Sequence, residues 1–383
     1  MTDWRIPLAD VRLSEPVIAA AGDALRSNWL TMGPRTQKLE GKFAGVVGSE
    51  HGVAVSSGSA GLHLACLAAG VGPGDEVIVP AVAFVADAHA AHWCGGETVF
   101  ADVVSSQRPH LDVGAVEALI TDRTKALIAV HMFGYAMELD DLARLCEERG
   151  VALIEDCCES AGATFADGTS VGTKGQSGVF SFFAKTQLPV GEGGLVVTDE
   201  QTVAERIRLL RSHAMTSVTW DRHRGHAETY DITDIGFNYR IDEPRAAMAN
   251  AHLDEIEGRV QKLRATVAAY RERLAPVEGV EVPFDCDAVQ RSGHFAFPVV
   301  VADPETRDRV RAHLTERQIQ TTFYPALTTL EIFEEQGRAH PCPRAEAYAA
   351  RHVAMPLSCS MGPDDIELAC SELEAALATS AVA

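Results

Sequence analysis

The sequence predicts an α/β protein built on a mostly parallel sheet, and three patterns carry that prediction. Short strands that are apolar throughout recur between Gly52 and Asp199. Helical patterns separate most of them. Glycines close helical stretches, as at Gly70 and Gly150, where a left-handed residue ends a helix at little cost. A strand that is apolar on both faces must be covered on both faces, which is the arrangement of a parallel sheet flanked by helices.

Seven strands are expected in the order GVAVSS, DEVIVP (closed by Pro80), TVFADV, KALIAVHMF, VALIEDCC, GVFSFF and GLVVTD. AGLHLACLAAGV, FVADAHAAHWC and LDDLARLCEERG read as helices between them, from their apolar spacing. From residue 240 to 275 the pattern turns helical and charged, RAAMANAHLDEIEGRVQKLRATVAAYRERL, and leads into a smaller C-terminal α/β unit. There HFAFPVVVA and IQTTFY read as strands, and PETRDRVRAHLTERQ and PDDIELACSELEAAL as helices. The expected division is a large domain over residues 1–250, N-terminal segment included, and a linker helix with a small domain over 251–383.

A chain of 383 residues is long for one core. With 46% apolar residues it has ample material for two. Acidic residues exceed basic ones by 21, which speaks against a nucleic-acid partner and reads as a solvated surface. Nine cysteines occur, an odd number with no C-x-x-C pair, the usage of a reduced, cytoplasmic protein with buried thiols. The start, MTDWRIPLADVRL, lacks a basic region followed by an apolar stretch. No apolar run of about 18 residues appears, so neither secretion nor a membrane span is expected. No metal-ligand set is expected.

Four features fall at strand ends, where ligands of open parallel sheets sit. The first is SSGSAG, Ser56 to Gly61. Small residues there let backbone wrap an anion, the free N–H groups of a helix start point at it, and Ser59 adds a hydroxyl; a plain strand-to-helix turn is the alternative. The second is Asp156, ending an apolar strand in LIEDCCESAGA. A buried carboxylate there is costly unless a cation faces it. A protonated pyridine nitrogen would serve, keeping the ring an electron sink; a helix cap is the alternative. The third is Phe84, at a strand-to-helix junction, which could stack on a flat ring or simply join the core. The fourth is Lys185 in SFFAKTQLPVGEGGLVVTD. An amine beside a strand end can form a Schiff base with an aldehyde. Of the six lysines, Lys38, Lys42 and Lys262 lie on polar helical segments, Lys125 begins a strand at the far end, and Lys174 sits in a loop. Lys185 alone stands at an expected strand end beside a glycine-rich turn.

Together these residues resemble the DegT/DnrJ/EryC1/StrS family of pyridoxal-phosphate aminotransferases, which act mostly on keto-sugars and cyclitols. The likeness runs through IPLADVRLSEP, SNWLTMGPRTQKLEGKFA, SSGSAGLHLA, GDEVIVPAVAFVA, VHMFG, IEDCCESAGA, VGTKGQSGVFSFF, GEGGLVVTD, GFNYRIDEPRAAM and MPL. The resemblance implies the fold-type I transferase fold: a seven-stranded, mostly parallel cofactor domain, a small C-terminal domain, and a homodimer with active sites at the interface. It implies pyridoxal 5'-phosphate as cofactor, with pyridoxamine 5'-phosphate as its intermediate form, and glutamate or glutamine as amino donor. It places phosphate contacts at Gly58, Ser59, Ala60 and Ser181, Phe84 over the ring face, Asp156 at the ring nitrogen and Glu159 near the ring hydroxyl. Asn238 would reach the phosphate bound by the neighbouring subunit. His131 would line the floor under the site, or else be a satisfied strand-end histidine.

The chain departs from the family pattern in three places. Ser57-Gly58-Ser59 stands where the family usually has Asn-Gly-Thr, keeping a hydroxyl. Thr328 stands where a histidine usually follows Pro-Leu, which bears on substrate contacts. The family's lysine lies five residues after the serine of Ser-Phe and five before Gly-Glu-Gly-Gly; that position here is Thr186, and Lys185 comes one residue early. On an extended backbone a one-residue slip turns a side chain to the opposite face. Two readings follow. In one, the segment is locally rearranged and Lys185 still anchors the cofactor of an aminotransferase. In the other, Thr186 replaces the lysine, and the chain is a lysine-independent enzyme such as a dehydratase, or a catalytically silent cofactor-binding protein.

Overall fold

The computed structural model describes residues 4–217, 223 and 229–378. Strands β1 (His51–Val55), β2 (Glu76–Pro80) and β3 (Glu97–Ala101) are followed by a short hairpin, β4 (Val103–Ser105) and β5 (Arg108–Leu111). Then come β6 (Thr124–Val130), β7 (Ala152–Asp156), β8 (Ser177–Ser181) and β9 (Gly194–Thr198). The hairpin stands apart, and the other seven form one sheet in the order β1-β9-β8-β7-β6-β2-β3. β9 pairs antiparallel with both β8 and β1, while the pairs β2–β3, β2–β6, β6–β7 and β7–β8 are parallel.

The alternation of side chains along each strand builds two cores at once. Val53, Val55, Val77, Val79, Ile128 and Ile154 point into one. Their immediate neighbours Ala54, Ile78, Leu127, Ala129 and Leu153 point into the other. This is why the strands read as unbroken apolar runs rather than as alternating ones.

One helix, Glu243–Leu274, is 32 residues long and joins the two halves of the molecule. Asp242 caps it, its carboxylate accepting the N–H of Arg245 at 2.9 Å. Glu243, fully buried, accepts the N–H groups of Gly33, Arg35 and Thr36 at 2.9 Å each, and so caps the helix Pro34–Val47 as well. Ala246, Ala249 and Leu253 pack under the large sheet. Leu263, Val267, Tyr270 and Leu274 pack with Phe297 and Val299 of the small domain. The division expected at residue 250 therefore falls inside a continuous helix that serves both cores.

The small domain carries an antiparallel sheet of β10 (Val280–Glu281), β11 (Phe297–Val301) and β12 (His352–Met355); the helices Pro304–Glu316 and Pro343–Arg351 pack on it, and Pro363–Ala378 packs on the first of these and on the long helix. IQTTFY does not form the strand expected of it. It makes single bridges only, Ile319 to Ile6 and Thr322 to Ala354. Phe323 is held between the guanidinium groups of Arg307 and Arg311, and Tyr324 turns toward the large domain, so packing overrides the local β pattern. Ile6 and Leu8 bond to Gln318, Gln320 and Leu357, which seats this N-terminal stretch on the small domain rather than on the large one. Among the described residues no helix is long and apolar enough to cross a membrane.

Candidate active site

The carboxyl ends of the parallel strands open into a cavity of about 740 Å³, closed on its far side by residues of the small domain. β9 runs the other way and so brings its first residue, Gly194, and the Gly191–Gly193 turn to this same edge.

Helix Gly58–Ala68 starts at the cavity. Ser57 caps it, its hydroxyl accepting the N–H of Ala60 at 3.1 Å. The N–H groups of Gly58 and Ser59 precede any intrahelical acceptor and remain available to an anion. Gly58 is demanded by space: a Cβ there would stand 2.6 Å from Cys158 Sγ and 3.1 Å from Ser181 Cβ. Gly194 is demanded likewise, with the Ser57 and Gly58 backbone 2.7 and 2.8 Å from any added Cβ. Ser181 ends β8 at the cavity wall, its hydroxyl accepting the Phe183 N–H at 3.2 Å. Gly58, Ser59 and Ser181 are thus brought together. Ala60 is not: it does not border the cavity, and the Ser57 hydroxyl already occupies its N–H.

Asp156 ends β7, borders the cavity and accepts the Cys158 N–H at 2.9 Å. No cation of the described chain pairs with it. Phe84 caps the helix Val85–Trp93, borders the cavity and is 58% exposed, so it is not the core residue its type usually is. Glu159 accepts the Tyr324 hydroxyl at 2.9 Å and the Phe133 N–H at 2.7 Å. Burial pushes its carboxyl up to about 7, against the pull of those two donors. Tyr324 comes from the small domain, so this contact ties the two halves across the site.

Lys185 and Thr186 both border the cavity. The segment is not extended. The Thr186 N–H donates to the Phe183 carbonyl at 2.9 Å, which makes Phe183–Thr186 a β-turn with Lys185 at its third position. The Thr186 hydroxyl donates to the same carbonyl at 2.9 Å, and its side chain is buried. Lys185 is exposed and has no hydrogen-bond or ion-pair partner among the described residues. The strand rule that would send neighbours to opposite faces does not operate here, because the turn presents both to one space.

Three other expected positions lie elsewhere. Asn238 is exposed and does not border the cavity of its own chain. His131 is wholly buried, its Nε2 3.0 Å from Glu155 and its Nδ1 accepting the Met137 N–H at 2.9 Å, so it is a satisfied interior histidine. His131, Glu155 and Cys157 lie within 4.8 Å of one another, but Glu155 is already taken by three backbone N–H groups, which leaves no ligand set for a metal. Thr328 is buried and donates to Glu346 at 2.9 Å, away from the cavity. From the small domain the segment FYPALTTLEIF supplies Phe323, Tyr324, Pro325, Leu327 and Leu330 to the cavity, whereas NWLTMGP, residues 28–34, contributes nothing within one chain. Sequence reasoning missed Tyr324 and Asp87. Asp87 had a signal, an acid within the apolar run AVAFVADAHAA.

These residues fit pyridoxal phosphate. Free helix-start N–H groups would suit a phosphate, the backbone at Gly58 admits no Cβ, and the carboxylate of Asp156, without a cation of the described chain, would suit a protonated ring nitrogen. Comparison with known proteins agrees. The model of the DegT/DnrJ/EryC1/StrS aminotransferase family matches residues 12–374. The aminotransferase TlmJ from Streptoalloteichus hindustanus is similar at 31% identity with a TM-score of 0.91, over 98% of this chain and 100% of that one. DesV from S. venezuelae is similar at 28% identity and 0.85, over 97% and 98%. Helicobacter pylori PseC shares the fold at 20% identity and 0.89, over 98% and 99%. With the crowded helix start at Gly58, the cavity-lining carboxylate of Asp156 and the family match in agreement, this chain belongs to the DegT/DnrJ/EryC1/StrS family and is a pyridoxal-phosphate-dependent aminotransferase.

Proposed function

We propose that the chain moves an amino group from glutamate or glutamine to a keto-sugar or keto-cyclitol, in natural-product or amino-sugar biosynthesis, with Lys185 as covalent anchor and proton carrier. The observation that carries this reading is the uncommitted amine of Lys185 at the wall of the cavity that Asp156 and Glu159 also border. The family resemblance supports the class of donor and acceptor.

Pyridoxal phosphate, when bound, supplies an electron sink. The chain's own residues do the rest. The N–H groups of Gly58 and Ser59 and the hydroxyls of Ser59 and Ser181 hold the phosphate. Asp156 would keep a proton on the ring nitrogen, Glu159 would lie near the ring hydroxyl, and Phe84 would stack on the ring. The Lys185 Nζ takes a proton from the donor's α-carbon and later returns one to the acceptor's carbon, which is general acid–base work. Ping-pong kinetics follow from the two half-reactions. Phe323, Pro325, Leu327 and Leu330 give the acceptor an apolar wall. A homodimer is part of the proposal. Asn238 follows the exposed Ile232 and Ile235 in the chain, 57% and 84% accessible, and a second copy covering that stretch would bring its own Asn238 toward the phosphate. The nine free cysteines support work in the cytoplasm.

Thr186 at the family's lysine position favours one other reading, an enzyme that holds the cofactor without a covalent link. Borohydride reduction in the presence of pyridoxal phosphate, followed by peptide mapping, separates the two. Label on the Lys185 peptide, lost in Lys185→Ala, supports the proposal. Tight cofactor binding with no labelled lysine supports the lysine-independent reading, and binding without turnover of any amino donor leaves a silent binding protein.

A further inference from the structure

Asp87 lies in the first turn of the helix Val85–Trp93 and is fully buried. Neither of its oxygens finds a donor among the described residues beyond its own backbone N–H. The group it meets is the carboxyl of Asp156. Around the pair stand Glu159 and the thiols of Cys158 and of Cys66, the last from the helix Gly58–Ala68. All of these are acids and none is a cation.

Two carboxyl groups side by side, one of them fully buried and without a donor, favour holding one proton between them. Its place follows from the surroundings. Asp156 has an N–H donor at 2.9 Å and an open side toward the cavity, which suit an anion. Asp87 has neither. Burial first, and then the charge of Asp156, push the Asp87 carboxyl well above the ordinary range.

We propose that Asp87 stays protonated and donates its O–H to the carboxylate of Asp156, fixing the orientation in which Asp156 meets the cofactor's ring nitrogen. Asp87 is then a positioning residue. It touches neither cofactor nor substrate, and it adds a donor to Asp156 beside those that Cys158 supplies. The link to the ring nitrogen rests on the function proposed above; the shared proton does not.

Infrared difference spectra of the cofactor-free protein test the proton directly. At about pH 8, above the range of Glu159, the wild-type protein should show the C=O stretch of a buried carboxylic acid, and Asp87→Asn should lose it. No such band, or a band that survives Asp87→Asn, overturns the proposal. Pyridoxamine phosphate binding, followed by tryptophan fluorescence on variants whose thermal melts show a folded state, tests the positioning. Asp87→Asn keeps an N–H donor and should bind within about threefold of wild type, while Asp87→Leu keeps the bulk without a donor and should bind about tenfold more weakly. Equal binding by Asp87→Leu overturns the positioning role. Wild-type protein that fails to bind pyridoxamine phosphate overturns the proposed function, and the infrared result still decides the proton.

Discussion

Glu155 and Asp87 are both buried carboxyl groups, one on each side of the sheet around Asp156, and the chain treats them in opposite ways. Glu155 accepts the N–H groups of Gly172, Lys174 and Gly175 at 2.6, 2.6 and 2.7 Å and faces His131 Nε2 at 3.0 Å. Asp87 has no such donors and meets another acid. Burial alone therefore does not mark a functional acid. A carboxylate saturated with backbone donors is part of the scaffold, and a buried one left without donors beside a cavity-lining acid is open to another role. The face that carries Glu155 is static. The face that carries Asp156, Asp87, Glu159 and Lys185 is poised.

That contrast predicts that damage to the poised face costs chemistry and damage to the static face costs stability. Lys185→Ala should show the largest effect. Steady-state transamination should fall by about 10²- to 10⁴-fold, while the urea midpoint stays put, because the exposed amine has no partner to lose. Full turnover in that variant would remove the poised face altogether. Glu155→Ala should follow, losing about 3–5 kcal/mol in urea unfolding, because three backbone N–H groups and His131 lose their acceptor inside the protein. A neutral result there would erase the distinction between the two faces.

The pH dependence sharpens the comparison. Glu159 has its carboxyl raised from 4.5 to about 7, so the folded chain holds a proton that the unfolded chain releases across that interval. Its contribution is full below about 4.5 and is lost as pH rises to about 7, which means stability falls with pH in that window. Glu159→Gln should flatten this part of a curve of urea midpoint against pH; an unchanged slope would show that the group titrates normally. The smallest effect should come from Thr186→Ala. It removes one hydroxyl contact to Phe183, costs about 1 kcal/mol, and leaves borohydride labelling on Lys185. Loss of labelling there would assign Thr186 more than a turn-closing role.

The large sheet was legible because apolar runs such as VALIED and GLVVTD can be satisfied only between two covered faces. Gly58 and Asp156 were legible for a related reason. Each sits at a strand-to-helix junction, where close backbone approach and an isolated acid leave a mark in the residue type itself. IQTTFY shows the limit. Its β-branched residues suit a strand, yet Phe323 is drawn between two arginines and Tyr324 to Glu159, contacts that no local pattern encodes. Asn238 could be proposed only through resemblance, since nothing within one chain gives it a partner in the cavity.

By itself, then, the sequence determined the sheet, the small-residue helix start after β1 and the acid at the end of β7, because each is dictated by period and residue type over a few positions. Three matters were left to tertiary structure. They are the direction of Lys185 out of its turn, the closure of Tyr324 onto Glu159 across two domains, and the meeting of Asp87 with Asp156. The physical reason is the same in all three. Where a side chain points from a turn, and which distant group it meets, are set by the packing of whole elements against one another, and local propensity carries no record of that.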